Sequence, residues 1–285
     1  MVAVRRKRTF RWVVFGLLGF YVLAPMAASI QFSLEAGYQG HLSFIAYSQA
    51  IAEPGLAASL ITSVKVAAGA MVITLVLLVP TVILVNLRLP RWRPVLDAVS
   101  LLPLGVPAVV IVLGVLGVYR NLPDIITGTP VILALVYVIL AMPYSYRAID
   151  SGVRSLDLHT LVDASRSMGA GWGKLFSRVL LPNMRSGILA AAFLTVALSL
   201  GEYAIASIMG FMTFPVWLVS VEGNNPYVAV ALSIAALLVT WILLVALALV
   251  GSGKRRTTTG FGIGLVDALD EAETSASAPG AEPAT

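Results

Sequence analysis

The chain has 285 residues, of which 59% are hydrophobic and 12% are charged, with a net charge of +5 and a mean hydropathy of +0.92. Soluble domains carry about 25% charged residues, so this composition excludes a soluble globular protein. The positive charge does not indicate nucleic-acid binding, because the basic residues lie at the ends of apolar stretches. Cysteine is absent, which excludes disulfides, zinc–thiolate sites and cysteine nucleophiles.

Six apolar stretches are long enough to cross a membrane, since a helical span needs about 20 residues. They are Trp12–Ile30, Leu60–Val85, Val95–Tyr119, Val131–Ile149, Ser186–Met209 and Tyr227–Val250. Prolines inside them are compatible with membrane helices, where neighbouring helices satisfy the freed backbone groups. The sequence therefore predicts an all-α, polytopic membrane protein with six transmembrane helices.

The first stretch follows a basic segment, residues 1–11, and could be read as a secretory signal. Its apolar run is longer than the 7–15 residues usual for a signal core, and its small-residue cleavage site is weak. We therefore expect an uncleaved first helix behind a basic cytoplasmic tail. Residues 12–256 would form the transmembrane domain.

The basic residues predict the orientation, because Lys and Arg concentrate in cytoplasmic loops. Apart from Lys65 and Arg120, they lie in the N-terminal tail, in the second and fourth loops with their flanks, and just after the sixth stretch. All of these segments would be on one side, so both termini are expected in the cytoplasm. Residues 257–285 are rich in small, polar and acidic residues and are predicted to be a disordered tail without an assigned function.

The fourth loop, residues 150–185, shows helical periodicity twice. In Ser155–Gly169 we expect Ser155 as the N-cap, Gly169 as the C-terminal stop, and one apolar face formed by Leu158, Leu161, Val162 and Met168. In Gly171–Pro182 the apolar face comprises Trp172, Leu175, Phe176, Val179 and Leu180. The pattern predicts a helical hairpin that offers a docking surface to a soluble partner.

The stretch from Asp163 to Pro182 resembles the EAA loop of permease subunits of binding-protein-dependent ABC importers, with the pattern Glu-Ala-Ala-x3-Gly-x9-Ile-x-Leu-Pro. Ala164, Gly169, Leu181 and Pro182 match it, and Asp163, Ser165 and Val179 are conservative departures. The spacing is kept, and the motif lies in the expected loop. The resemblance covers most of the second to sixth stretches.

This resemblance implies a type I ABC importer permease in the cell inner membrane, whose loop helix sits in a groove of an ATPase subunit. The docking residues would be Asp163, Ala164, Ser165, Gly169, Leu181 and Pro182. Gly169 would allow the turn between the two helices, and Pro182 would end the second helix. The implied partners are two ATPase subunits, a sister permease or second copy, an extracytoplasmic substrate-binding protein and the lipid bilayer.

The chain itself lacks a nucleotide site. A phosphate-binding loop needs G-x-x-x-x-G-K-[ST], and the segments ending at Lys174 and Lys254 lack both the first glycine and the final hydroxyl. We therefore expect no cofactor and no enzymatic activity in this chain, with ATP and Mg used by partner subunits. A membrane enzyme is disfavoured because His41 and His159 would lie on opposite sides of the membrane.

A substrate path is predicted on the fifth stretch. Thr195, Ser199 and Glu202 follow i, i+4, i+7, and ionisable groups inside membranes are usually functional. Glu202 would line a cavity and contact the cargo; alternatively, it is protonated or paired with a neighbouring helix, such as the region of Lys65. Asp150 and Lys65 are expected at the membrane interface.

Two segments of the sequence bear on the cargo. Ser199–Ser207 and Thr213–Trp217 are similar to permeases of the spermidine/putrescine branch, so a polyamine is our first expectation. Iron, thiamine, 2-aminoethylphosphonate, sulfate or molybdate, and sugars remain alternatives. An ion-coupled secondary transporter is the alternative class, disfavoured by the long helical loop and the few membrane carboxylates.

Overall fold

The computed structural model describes residues 2–35, 42–119 and 129–251, with side chains for 12–35, 42–118, 129–242 and 245. Within these ranges the regular structure is helical. The helices are α1 Val2–Leu34, α2 Ile45–Ala52, α3 Leu56–Arg88, α4 Arg93–Gly105, α5 Ala108–Tyr119, α6 Val131–Arg154, α7 Leu158–Ser167, α8 Trp172–Asn183, α9 Arg185–Gly201, α10 Ala204–Ile208, α11 Phe214–Asn224 and α12 Pro226–Gly251. The tail 257–285, His41 and Arg120 lie outside the described residues.

Three helices of the described chain, α1, α3 and α6, are each long and apolar enough to cross a membrane. Two bent pairs, α4 with α5 and α8 with α9, raise the number to five when each pair counts as one span. The sixth predicted stretch lies on α12. The all-α membrane fold is confirmed, and the count of six spans stays a prediction.

Two predicted stretches are interrupted. The third bends by 101° between α4 and α5, because Val106 precedes Pro107 and is held in an extended conformation (φ −107°, ψ 122°). The fifth ends as a helix at Gly201, and Glu202 is again extended (φ −81°, ψ 123°). The expectation of continuous helices over Val95–Tyr119 and Ser186–Met209 was therefore wrong.

The centre of the bundle is formed by α3, α6 and α9. Gly187 of α9 lies so close to α6 that an added β-carbon would be 2.8 Å from the Ala148 carbonyl oxygen. One buried cluster joins these three helices to α7 and α8. A second cluster joins α3, α5, α6 and α10 around Tyr137, and a third joins α2, α11 and α12 around Trp217.

Helix α1 lies apart from the central helices. Its apolar side chains from Trp12 onward are largely exposed, as expected of a helix that faces lipid. Its end is fixed by two contacts: Phe32 stacks on Tyr227 with ring centroids 4.6 Å apart, and Ser33 shares a hydrogen bond of 2.9 Å with the Tyr47 hydroxyl. A separate unit of the chain begins at Trp241. The structure describes its helical backbone as far as Gly251.

Candidate functional site

Helices α7 and α8 form a hairpin between α6 and α9, as the periodicity of the fourth loop predicted. Four apolar side chains on its inner face are buried: Leu158, Val162, Leu175 and Leu180. They belong to the cluster that contains Val82 of α3 and Ile149 of α6. Burial of a Leu or Val side chain stabilises by about 1.5–3 kcal/mol. The inner face is therefore fixed to the membrane helices.

Asp157 caps the first helix of the hairpin. Its carboxylate accepts hydrogen bonds from the Thr160 hydroxyl at 2.6 Å and from the Thr160 amide at 3.3 Å, and these bonds lower the pKa of Asp157. The expectation that Ser155 is the N-cap was wrong, because α6 extends to Arg154. Ser155 instead ends α6, and its hydroxyl donates to the Gly152 carbonyl at 2.7 Å.

The turn between α7 and α8 depends on Gly169. Its φ is +79°, in the left-handed region where glycine has no steric penalty. The amide of Gly169 donates to the Arg166 carbonyl at 2.9 Å, and that of Ala170 donates to the Ser165 carbonyl at 3.0 Å, which satisfies two terminal carbonyls of α7. The predicted role of Gly169 in the turn is confirmed.

The end of α8 is shaped by Pro182. Before it, Phe176–Leu180 form a π turn in which the Leu181 amide donates to the Phe176 carbonyl, five residues earlier. Proline has no amide hydrogen to continue the helix, and such local changes of register accompany helix bends. The helix ends at Asn183 and the chain bends by 75° into α9. The predicted helix end at Pro182 is thus met to within one residue.

The face of α7 opposite the bundle is exposed. Asp163, Ala164, Met168 and Gly169 form this outer edge, and Met168 is 81% exposed. The expectation that Met168 lies on the inner apolar face was therefore wrong. An exposed methionine is well suited to a protein contact, because Met adapts to irregular apolar surfaces.

The remaining motif residues differ in exposure. Ser165 is only 4% exposed, and its hydroxyl donates to the Leu161 carbonyl at 2.7 Å. Leu181 is partly buried and Pro182 is exposed. The polar group of Ser165 is thus satisfied within α7. Its place in the docking set stays a prediction.

Trp172, at the start of α8, is in contact with two guanidinium groups. Arg88 at the end of α3 is 4.6 Å from the ring centroid, and Arg166 of α7 is 5.4 Å from it. Such cation–π contacts are attractive by about 0.5–1 kcal/mol at exposed sites. Both arginines were read from the sequence only as orientation signals, so this link between the hairpin and α3 was missed.

Glu202 caps the short helix α10. Its carboxylate accepts hydrogen bonds from the Ile205 amide at 3.0 Å and the Ala206 amide at 3.3 Å. The Tyr137 hydroxyl of α6 also donates to it, at 3.2 Å. The expected alternative, pairing with a neighbouring helix, is therefore met by Tyr137; Lys65 does not take part, because the ion pairs among the described side chains belong to Asp150.

Thr195 and Ser199 do not continue a polar stripe to Glu202. Both are buried; the Thr195 hydroxyl is 2.8 Å from that of Ser145 on α6, and the Ser199 hydroxyl donates to the Thr195 carbonyl at 2.7 Å. Because α9 ends at Gly201, the predicted single helical face for the three residues was wrong. Thr195 and Ser199 lie in the contact between α6 and α9, and Glu202 is partly exposed.

Asp150 belongs to a second polar group. Its carboxylate binds Arg154 of the same helix at 2.7 Å and Arg93 of α4 at 3.4 Å, and its side chain is only 9% exposed. Nearby, the Tyr146 hydroxyl of α6 donates to Asp97 of α4. Sequence reasoning placed Asp150 at the membrane interface and missed this network, because Arg93 and Asp97 are distant in sequence.

Residues 81–257 match the family described as the binding-protein-dependent transport system inner membrane component, a range that covers more than half of the chain. The chain belongs to this family. A similar protein is the spermidine/putrescine transport system permease protein PotB of Haemophilus influenzae, 26% identical over 220 residues, which cover 70% of this chain and 76% of that protein. The resemblance that the EAA-like loop predicted is confirmed.

The matched range contains the whole hairpin, Asp150 and Glu202, whereas α1 and α2 lie outside it. This permease is therefore a multi-pass membrane protein and a transport component rather than an enzyme.

Proposed function

We propose that this permease is a membrane subunit of an ATP-driven importer and that ATPase subunits bind it through the hairpin. The observation that carries the proposal is the division of the hairpin into two faces. The outer edge, Asp163, Ala164, Met168 and Gly169, is exposed, while the inner face is buried against α3, α6 and α9. A surface that is rigidly attached to three membrane helices and free on its other side is suited to transmit movement.

The mechanism follows from this attachment. When ATPase subunits close around ATP, they would move the outer edge of the hairpin. The fully buried Leu175 and Leu180 would carry this movement to the membrane helices. Packed interiors transmit movement in this way because they shift between discrete arrangements rather than deform continuously. The resulting change of the helix bundle would open the path to the opposite side. Asp163 would offer its carboxylate to a basic or amide group of the ATPase.

The complete complex would contain two ATPase subunits, a sister permease or second copy of this chain, and an extracytoplasmic substrate-binding protein. The hairpin and both termini would be cytoplasmic, in agreement with the distribution of Lys and Arg. In this orientation Glu202 and α10 lie toward the outer half of the bundle.

Site-directed crosslinking tests the docking, and the chain contains no cysteine that would interfere. Ala164→Cys on the outer edge is expected to crosslink to the ATPase subunit, and Ser165→Cys, its buried neighbour, is the matched control. Equal crosslinking of both, or none from Ala164→Cys in an assembled complex, would refute docking through the outer edge.

For the cargo we propose a polyamine that contacts Glu202. The support is the relative named for spermidine and putrescine, together with the partly exposed Glu202 carboxylate, since a polyamine is a cation. Iron, thiamine, phosphonates, sulfate or molybdate and sugars are the other outcomes that a transport assay should include.

The change Glu202→Gln tests this contact, because the amide oxygen of Gln can still accept the backbone hydrogen bonds of α10 while the charge is lost. Spermidine uptake should decrease at low concentration and recover at high concentration. Glu222→Gln on the exposed side of α11 is the control.

Uptake that depends on an ion gradient and persists with a hydrolysis-deficient ATPase would instead favour an ion-coupled secondary transporter.

A further inference from the structure

Helix α4 is attached to α6 largely through polar groups. Among its residues only Ser100 is buried, and Leu96 is its apolar contact with the central cluster. The specific links are the ion pair of Arg93 with Asp150 and the hydrogen bond from Tyr146 to Asp97. We refer to Arg93, Asp97, Tyr146, Asp150 and Arg154 as the α4–α6 latch.

The two helices are also separated by a cavity. It has a volume of about 490 Å³ and is lined by α4 residues and by the polar face of α6. Asp97 and Asp150 lie in its wall, and Arg147 lines it without an ion-pair partner among the described residues. Close packing therefore does not hold α4 in one position on this side, and the latch sets the distance between the helices.

Asp150 lies at the end of α6 that adjoins the hairpin, so a movement of the hairpin would displace this part of α6 first. It is in the last turns of α6, directly before the hairpin, and its neighbours Ile149 and Val153 are packed in the same cluster as Leu158 and Leu175 of the hairpin. The Asp150 carboxylate is buried, and removing a partner from a buried charge is costly; without Arg93, Arg154 would be its remaining cationic partner. The pair thus favours joint movement of the two helices.

We propose that Asp150 is a positioning residue for transport: through Arg93 it makes α4 follow α6 when the hairpin moves. The inference rests on the proposed function of the hairpin. Arg154 holds the second oxygen of the Asp150 carboxylate and fixes its orientation toward Arg93. Asp150 itself does not contact the cargo or the ATPase in this proposal.

The test compares Asp150→Asn, Arg93→Gln, the double variant and the conservative Arg93→Lys in the complete reconstituted transporter. Arg147→Gln is the matched control, since it removes a charge from the same cavity without touching the latch. The readout is the number of substrate molecules transported per ATP hydrolysed. We expect a decrease of about tenfold in both single variants, in the usual range for coupling between sites, no further decrease in the double variant, and recovery in Arg93→Lys.

A second measurement reports the helix separation directly. Spin labels at Val99 of α4 and Tyr144 of α6, both exposed and outside the latch, should show a broader distance distribution in Arg93→Gln than in Arg147→Gln. Arg93 is at the surface, with 32% of its side chain exposed, so this variant tests the proposal even if Asp150→Asn fails to fold. Unchanged coupling and an unchanged distance distribution in Arg93→Gln would overturn it.

The two measurements also separate the latch from the docking proposal. The distance between α4 and α6 can be measured in the permease without a bound ATPase subunit. If the ATPase does not bind the hairpin but the latch variants broaden the distribution, the docking has failed and the structural link remains. If the ATPase binds and the single variants reduce coupling additively, the latch has failed alone.

Discussion

Gly152 of α6 and Gly187 of α9 are in direct backbone contact: a β-carbon on Gly187 would lie 3.1 Å from the Gly152 Cα atom. Small residues allow membrane helices to approach closely, and packing rather than hydrophobic burial then stabilises their contact. The crossing lies where α6 enters the hairpin and where α9 leaves it. It therefore fixes the distance between the two ends of the hairpin.

The change Gly187→Ala should separate α6 from α9, because the new methyl group would meet the Ala148 carbonyl oxygen at 2.8 Å. Overpacking of this kind typically costs about 1–3 kcal/mol. We expect a lower thermal unfolding midpoint of the detergent-solubilised permease and reduced uptake. Gly201→Ala at the end of the same helix is the control, since its β-carbon would have no neighbour within 4 Å; a similar loss there would show that the crossing is not the cause.

Substitution of Gly169 tests the backbone conformation of the hairpin turn. A β-carbon there would have open space, so the cost of Gly169→Ala comes from its φ of +79° alone, about 1–3 kcal/mol. Gly169→Pro is incompatible with this φ and should abolish uptake while the protein stays in the membrane. Gly173→Ala, also in open space but without a positive φ, should leave uptake near wild type. Wild-type uptake by Gly169→Pro would contradict the role of the turn.

The sequence predicted the hairpin well because its determinants are local. The positive φ of Gly169, the helix end at Pro182 and the buried positions of Leu175 and Leu180 all follow from nearby residues and the 3.6-residue period. The observed N-cap of α7 is Asp157 rather than the predicted Ser155, because α6 continues past its apolar stretch to Arg154. The length of an apolar stretch does not determine where a helix ends.

The polar contacts could not be predicted in the same way. The partners of Asp150 and Glu202 that lie on other helices, Arg93 and Tyr137, are 57 and 65 residues away, and their selection depends on how the helices pack. The i, i+4, i+7 rule assumes an unbroken helix, which the extended Glu202 does not provide. Membrane burial alone also does not distinguish a residue in a cavity from one in a helix contact, as Thr195 shows.

Trp172 provides a test of the link between the hairpin and α3. Trp172→Ala removes the contacts of both Arg88 and Arg166 and should increase hydrogen exchange in α7 and α8 by roughly threefold to tenfold, the equivalent of about 0.5–1.5 kcal/mol. Trp172→Phe keeps an aromatic face and should retain most of the protection. Equal exchange in the alanine and phenylalanine variants would show that the cation–π contact does not hold this end of α8.

The N-cap of α7 should weaken in acid. Hydrogen bonds from the Thr160 hydroxyl and amide hold the pKa of Asp157 below its ordinary value of 3.8. Because the folded pKa is the lower one, the stabilisation is complete well above the ordinary value and is lost as the pH falls through the lowered pKa. The protection factor of the Thr160 amide, corrected for intrinsic exchange at each pH, measures it. Asp157→Asn should keep the cap, since Asn is an equally good N-cap residue, and lose this pH dependence; a persisting dependence would assign the titration to another group.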